Sequence, residues 1–216
     1  MQSPIGFLSA YVPEELFHAA GFTPMFVFPT SDDHGHARAH LPAFTCWIVG
    51  SALDQALAGK LDHLAGMALA KTCDTTQGLA DLWPPNVPHI PFFHFGMPLR
   101  LDSPSARTYL LAELASLRER IQAQTGRPVT DDALRESIVL YNGTRALVRR
   151  LYARADNLPP TELYGLVRAA FQTPKEIYNT NERMNKWANG EPPHSTSSAP
   201  RLVLVGPALG APVLFD

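Results

Sequence analysis

The 216 residues are 45% hydrophobic, carry a formal charge of -2 and include two cysteines. A chain of this size can form one large domain or two small ones. With no run of about five or more Lys or Arg there is no electrostatic footprint for a nucleic-acid backbone or an anionic membrane, and no stretch approaches the ~20 apolar residues of a membrane helix. Met1 to Gly6 lack a signal-peptide pattern, so the cytoplasm is the expected location, and two thiols there are too few for a disulfide framework.

From residue 1 to about 100, short apolar runs alternate with helix-like segments, the pattern of an α/β layer structure. Val12 to Ala20 reads as a helix with Pro13 in its first turn, Glu14 and Glu15 at its positive end and Gly21 as stop. Met25 to Phe28 reads as a strand bounded by Pro24 and Pro29. After a loop holding Asp32, Asp33, His34, His36 and His40, a helix is expected over Cys46 to Ala58, then a strand over Leu64 to Ala70. A third helix runs from Asp74 to Trp83, Pro84, Pro85 and Pro88 break the chain, and Ile90 to Phe95 is the last strand of this part.

Residues 101–190 change character, because apolar positions recur at three- and four-residue spacing. One helix starts near Ser103 and Pro104, buries Leu110, Leu114, Leu117 and Ile121, and stops at Gly126. A second starts at Thr130 and presents Leu134, Ile138, Tyr141, Val148 and Leu151. Thr161 is expected to cap a third, and Thr173-Pro174-Lys175-Glu176 reads as a capping box opening a fourth that ends near Gly190. Residues 191–200 are polar and rich in Pro and Ser, a linker, and RLVLVG from Arg201 begins a strand. The expected organisation is therefore a parallel-sheet domain over 1–100, a helical region over 101–190, the linker, and over 201–216 the first strand of a second α/β domain.

Cys46 and Cys73 both fall at the start of a helix, and Cys73 directly follows a strand, where α/β sheets collect their ligands. A helix amino terminus stabilises a thiolate, the form that binds iron. The alternative of two small buried hydrophobes stays open on spacing alone. His34, His36 and His40 with Asp32 and Asp33 form a second conceivable metal site, although no regular element fixes their spacing and a solvated loop is the simpler reading. Glu14 and Glu15 are dipole partners before they are acid and base. Asn142-Gly143-Thr144 matches a glycosylation acceptor that has no meaning in the cytoplasm, and Asn142 and Arg145 read as an exposed helix face. No phosphate loop, dinucleotide fingerprint or nucleophile elbow is present.

GFLSAYVPEELFHAAGFTP from Gly6 to Pro24 resembles the opening of the 2-hydroxyacyl-CoA dehydratase and benzoyl-CoA reductase family. CDTTQGLADLW from Cys73 to Trp83 resembles that family's second cysteine motif, Cys46 falls where its first cysteine stands, and Gly126 to Asp156 is similar to its inserted helices. The resemblance implies a subunit that holds a 4Fe-4S cluster, with Cys46 and Cys73 as two of three cysteine ligands. It further implies a homologous second subunit, an ATP-dependent activator protein and one-electron reduction of an acyl-CoA thioester. The third cysteine would come from a second α/β domain, so the expectation is a partial copy, inactive by itself. The alternative is a non-catalytic structural subunit of such a complex.

Overall fold

The structure is a computed structural model that describes residues 3–30, 35–155 and 158–190. The linker and the strand expected over 191–216 lie outside the described residues, as do Asp32, Asp33 and His34. The chain divides between Ser137 and Ile138 into two compact units, a boundary that falls within one long helix.

The first unit is built on four parallel strands: β1 (Ser3–Phe7), β2 (Phe22–Phe26), β3 (Met67–Lys71) and β4 (Phe92–Gly96), in the order β2-β1-β3-β4. Helix α1 (Glu14–Ala19) joins β1 to β2, α2 (Trp47–Leu57) leads to β3, and α3 (Asp74–Asn86) leads to β4. Side chains alternate along β4, so Phe92 stacks on Trp83 of α3 at 5.2 Å while Phe93 meets Phe17 of α1 edge-on at 5.5 Å. Helices α1 and α3 therefore cover opposite faces, as a parallel sheet requires. Val49, Leu53, Met67, Leu69, Leu79 and Trp83 form the core beneath α2 and α3.

β1 is a central strand that the sequence pattern does not announce. SPIGF carries Pro4 and Gly6 and shows no alternation, yet Ile5, Gly6 and Phe7 are buried. Gly6 is needed for space, since a Cβ there would sit 2.7 Å from Met67 Sδ, 2.8 Å from Leu64 Cδ1 and 2.9 Å from Val27 Cγ2. Pro24 does not bound β2 but lies inside it. The Val27 amide donates to Phe7 O at 2.9 Å, which by alternation turns the Pro24 nitrogen to the outer edge, where a missing N–H costs nothing. Pro84 and Pro85 likewise fall in the last turn of α3 rather than beyond it. Trp83 anchors that turn, fully buried with its Nε1 donating to Ile90 O at 3.1 Å, and the Val87 amide still reaches Trp83 O at 2.8 Å.

Helix α4 (Ala106–Thr125) ends at Gly126, whose φ of 67° closes it in the left-handed conformation. Two of its side chains act on the edge of β4 that no described strand pairs: the Gly96 amide donates to Glu113 Oε2 at 2.6 Å, and Arg120 Nη2 donates to the His94 carbonyl. These are backbone groups that an additional strand would otherwise pair. Helix α5 (Asp131–Tyr152) is capped by Thr130 Oγ1, which accepts from the Ala133 amide at 3.2 Å. Its early residue Ser137 is buried and hydrogen-bonds His18 Nδ1 of α1 at 2.7 Å.

The second unit contains the rest of α5 with α6 (Pro160–Gln172), α7 (Lys175–Thr180) and α8 (Glu182–Asn189), packed around Leu147, Leu151, Leu166, Tyr178 and Met184. Ile138 is 41% exposed and does not belong to the buried stripe, which follows Tyr141, Thr144, Leu147 and Leu151 instead. Pro159, not Thr161, stands at the head of α6, with Pro160 at the first helical position. Thr173 ends α6 rather than boxing α7, and the expected single last helix breaks at Asn181, whose Oδ1 accepts from the Met184 amide at 3.0 Å and opens α8. Lys175, in the first turn of α7, is buried, with Nζ donating to Ala170 O at 2.6 Å and lying 5.2 Å from the Tyr141 ring centre. Asn142 and Arg145 are exposed and bonded to one another at 3.0 Å.

Candidate functional site

In this strand order the chain leaves β1 outward to β2, then crosses back over β1 to β3. The crossover direction reverses between β1 and β3, and such reversals open a crevice at the carboxyl ends of the strands. Cys73 stands there, two residues beyond β3 and immediately before α3. It is the N-cap residue of a reciprocal capping box with Thr76. Thr76 Oγ1 accepts from the amides of Thr72 and Cys73, each at 3.0 Å, and donates to Cys73 O at 2.8 Å. The thiol lies 3.1 Å from Thr75 Oγ1 and 3.6 Å from Thr76 Oγ1. Partial burial pushes this thiol up, but hydrogen bonds from the hydroxyls and backbone of Thr75 and Thr76 outweigh it and hold the group below the ordinary thiol range.

Cys46 occupies the equivalent place one helix earlier, as the N-cap of α2, with Gly50 N donating to its carbonyl at 3.0 Å. The loop that delivers it is held by buried polar side chains of α2 that no sequence motif marks. Asp54 Oδ1 accepts from the amides of His36 at 2.7 Å and Ala37 at 3.2 Å. Gln55 Nε2 donates to Phe28 O at 3.1 Å, and Ser51 Oγ accepts from the Thr30 amide at 3.3 Å. Both cysteines are free, Cys73 exposed and Cys46 partly buried. Both thus head helices, as expected, but Cys46 is not among the residues lining the cleft at Cys73.

That cleft has a volume of ≈ 390 Å³. Tyr11 reaches it from beyond β1, Lys71 and Cys73 from the end of β3, and Met97, Leu99 and Leu101 from beyond β4. Tyr11, Leu99 and Leu101 are strongly exposed, so the mouth is rimmed by apolar surface. A second basin of ≈ 490 Å³ adjoins it, sharing Lys71, Gln77, Met97 and Leu99 and adding His94, Glu113 and Arg120. Burial lowers the His94 pKa below the usual imidazole range, with the Lys71 and Arg120 charges adding to the effect against Asp81 and Glu113. Lys71, His94 and Arg120 were not legible as a group in the sequence. Their one local signal is a histidine between phenylalanines in β4.

His36 and His40 are exposed beside the short 3-10 turn Ala37–Ala39. Among the described residues no group of three or more His, Cys, Asp or Glu side chains is arranged to hold a metal. The two thiols suit iron chemically by their softness, and at Cys73 the hydrogen bonds also favour the ionised form, but in number they do not complete a cluster site among these residues.

A doubly wound parallel sheet with a thiol at the mouth of its switch-point cleft defines an α/β protein built to present a ligand site along one sheet edge. A family model described as 2-hydroxyglutaryl-CoA dehydratase, D-component, matches residues 9–216, and the chain belongs to this family. Over 181 residues it is 32% identical to a benzoyl-CoA reductase subunit of Thauera aromatica, covering 81% of this chain and 47% of that protein. Over 186 residues it is 26% identical to the (R)-phenyllactyl-CoA dehydratase beta subunit of Clostridium sporogenes, covering 84% and 50%. Against the beta subunit of (R)-2-hydroxyglutaryl-CoA dehydratase of Acidaminococcus fermentans the identity is 27% over 189 residues, again covering 84% and 50%. The chain spans about half the length of the curated relatives it matches. No described helix is long and apolar enough to cross a membrane.

Proposed function

We propose that this chain forms part of the iron-sulfur subunit of a cytoplasmic enzyme of the 2-hydroxyacyl-CoA dehydratase or benzoyl-CoA reductase type. In this reading Cys46 and Cys73 ligate a 4Fe-4S cluster, which supplies single electrons for reduction of an acyl-CoA thioester. Its remaining ligands come from outside the described residues. A homologous second subunit and an ATP-dependent activator complete the system. The observation that carries the reading is the position of Cys73: a thiol with a stabilised ionised form, at a helix amino terminus, open to a cleft at the carboxyl edge of a parallel sheet. The names of the relatives, all subunits of acyl-CoA dehydratases or of benzoyl-CoA reductase, support the substrate class.

The described residues account for binding and positioning. Thr75 and Thr76 fix the thiol and favour its charge, the hydrogen-bonded loop over residues 35–45 fixes the approach to Cys46, and the apolar rim of Tyr11, Leu99 and Leu101 excludes water when covered. The test uses the full-length protein with its partner subunit. Cys46→Ser or Cys73→Ser is expected to remove iron, acid-labile sulfide and the electron-spin signal, because an alkoxide is a much poorer iron ligand than a thiolate. Joint replacement of His34, His36 and His40 by Ala is expected to leave them intact. The reverse pattern refutes the assignment, and survival of both metal and turnover in every variant makes this chain a structural subunit.

A further inference from the structure

The basin beside the Cys73 cleft holds an uneven set of charges. Lys71 leaves the end of β3 into it, and its side chain has no carboxylate partner among the described residues. Arg120 spends one Nη2–H on the His94 carbonyl, which fixes the guanidinium against β4, while its Nε–H is buried and finds no acceptor among the described residues. A buried donor without a partner is uncommon, and it marks a place where the described residues leave the hydrogen bonding incomplete. The carboxylate lining the same space, Glu113, already accepts the Gly96 amide at 2.6 Å. Asp81 is exposed on α3, where solvent screens it, and does not line the basin. Burial, with the Lys71 and Arg120 charges, favours the neutral form of His94, an imidazole that can donate or accept.

We propose that Lys71, Arg120 and His94 form a binding site for a single oxyanion, of carboxylate or phosphate type, adjoining the cleft that Cys73 opens onto. The ammonium supplies a point charge, the guanidinium a fixed donor, and the imidazole a third hydrogen bond, the combination by which such groups are usually held. The two cavities share Lys71 and Gln77, so a ligand extending from the thiol end places an anionic substituent on the cationic end. That the anion belongs to an acyl-CoA, either as a carboxylate on the acyl chain or as a phosphate of the coenzyme, rests on the function proposed above. The affinity of the basin for an oxyanion does not.

The experiment titrates the full-length protein with glutarate in one arm and with inorganic phosphate and coenzyme A in the other. The His94 imidazole is followed by NMR and the binding heat by calorimetry. At least one arm is expected to saturate, with the His94 pKa rising as a neighbouring anion stabilises the imidazolium, and the tighter arm names the source. Lys71→Met is expected to weaken that binding about tenfold, the scale of one charge-assisted hydrogen bond. Because the Lys71 side chain makes no hydrogen bond to the described fold, this variant separates binding from folding, whereas Arg120→Met also releases the edge of β4. The proposal is overturned if neither arm gives a saturable shift at His94, or if Lys71→Met binds as tightly as the wild type. Iron loss in the cysteine variants, or its absence, leaves this outcome untouched.

Discussion

Replacing Gly6 by Ala puts one methyl group into the centre of the sheet and tests whether β1 is packed as described. Gly6 is not among the glycines with positive φ, so alanine fits the backbone and by itself stabilises by about 0.4–1 kcal/mol through the unfolded chain. Against this, the new Cβ would lie 2.7, 2.8 and 2.9 Å from side-chain atoms of Met67, Leu64 and Val27, all three buried. Crowding of that kind costs about 1–3 kcal/mol. Crowding wins, and the net loss is roughly 1–2 kcal/mol. Gly78, in α3, is the control: a Cβ there meets nothing within 4 Å, and Gly78→Ala is expected to stabilise by about 1 kcal/mol on helix propensity. Urea unfolding, read from Trp83 in a background with Trp47 and Trp187 replaced by Phe, measures both. Movement of the two variants in the same direction refutes the placement of β1 between β2 and β3.

Two further outcomes test the site and its support. Thr75→Val removes the largest of the hydrogen bonds that offset burial at Cys73, so the thiol pKa rises; alkylation of Cys73 should slow at neutral pH and keep its plateau rate at high pH, and an unmoved pH profile would show that Thr75 has no hold on the thiolate. Ser137→Ala deletes the bond to His18 Nδ1 at a fully buried position and should cost about 1 kcal/mol in urea unfolding, with no change indicating that α1 and the start of α5 do not depend on it.

The helices that carry the cysteines were legible because their signals are local: Cys46 and Cys73 each precede an apolar-periodic run, and Gly126 stops α4 where a left-handed residue is required. β1 was not legible. Gly6 is dictated by neighbours from β3 and the Leu64 turn, and only the folded sheet reveals them. Pro24, Pro84 and Pro85 misled for one reason, that proline forbids an inward amide but not an edge position or a last helical turn. The break at Asn181 sits inside continuous helical periodicity and is decided by the cap itself. Lys71, His94 and Arg120 escaped because parallel pairing places Leu69 beside His94 and Lys71 beside Gly96, and α4 then carries Arg120 to the edge of β4.

The handling of the two outer strands also limits how this sheet associates. On β4 the outward Gly96 amide and His94 carbonyl are already taken by Glu113 and Arg120, and on β2 the outward position holds Pro24, which has no proton to donate. A peptide approaching β4 finds one amide and one carbonyl of the ladder already occupied, and one approaching β2 finds a donor missing, which disfavours strand addition and edge-to-edge fibre growth at these positions. Among the described residues, the apolar rim at the carboxyl ends of the strands is a side-chain surface without that restriction.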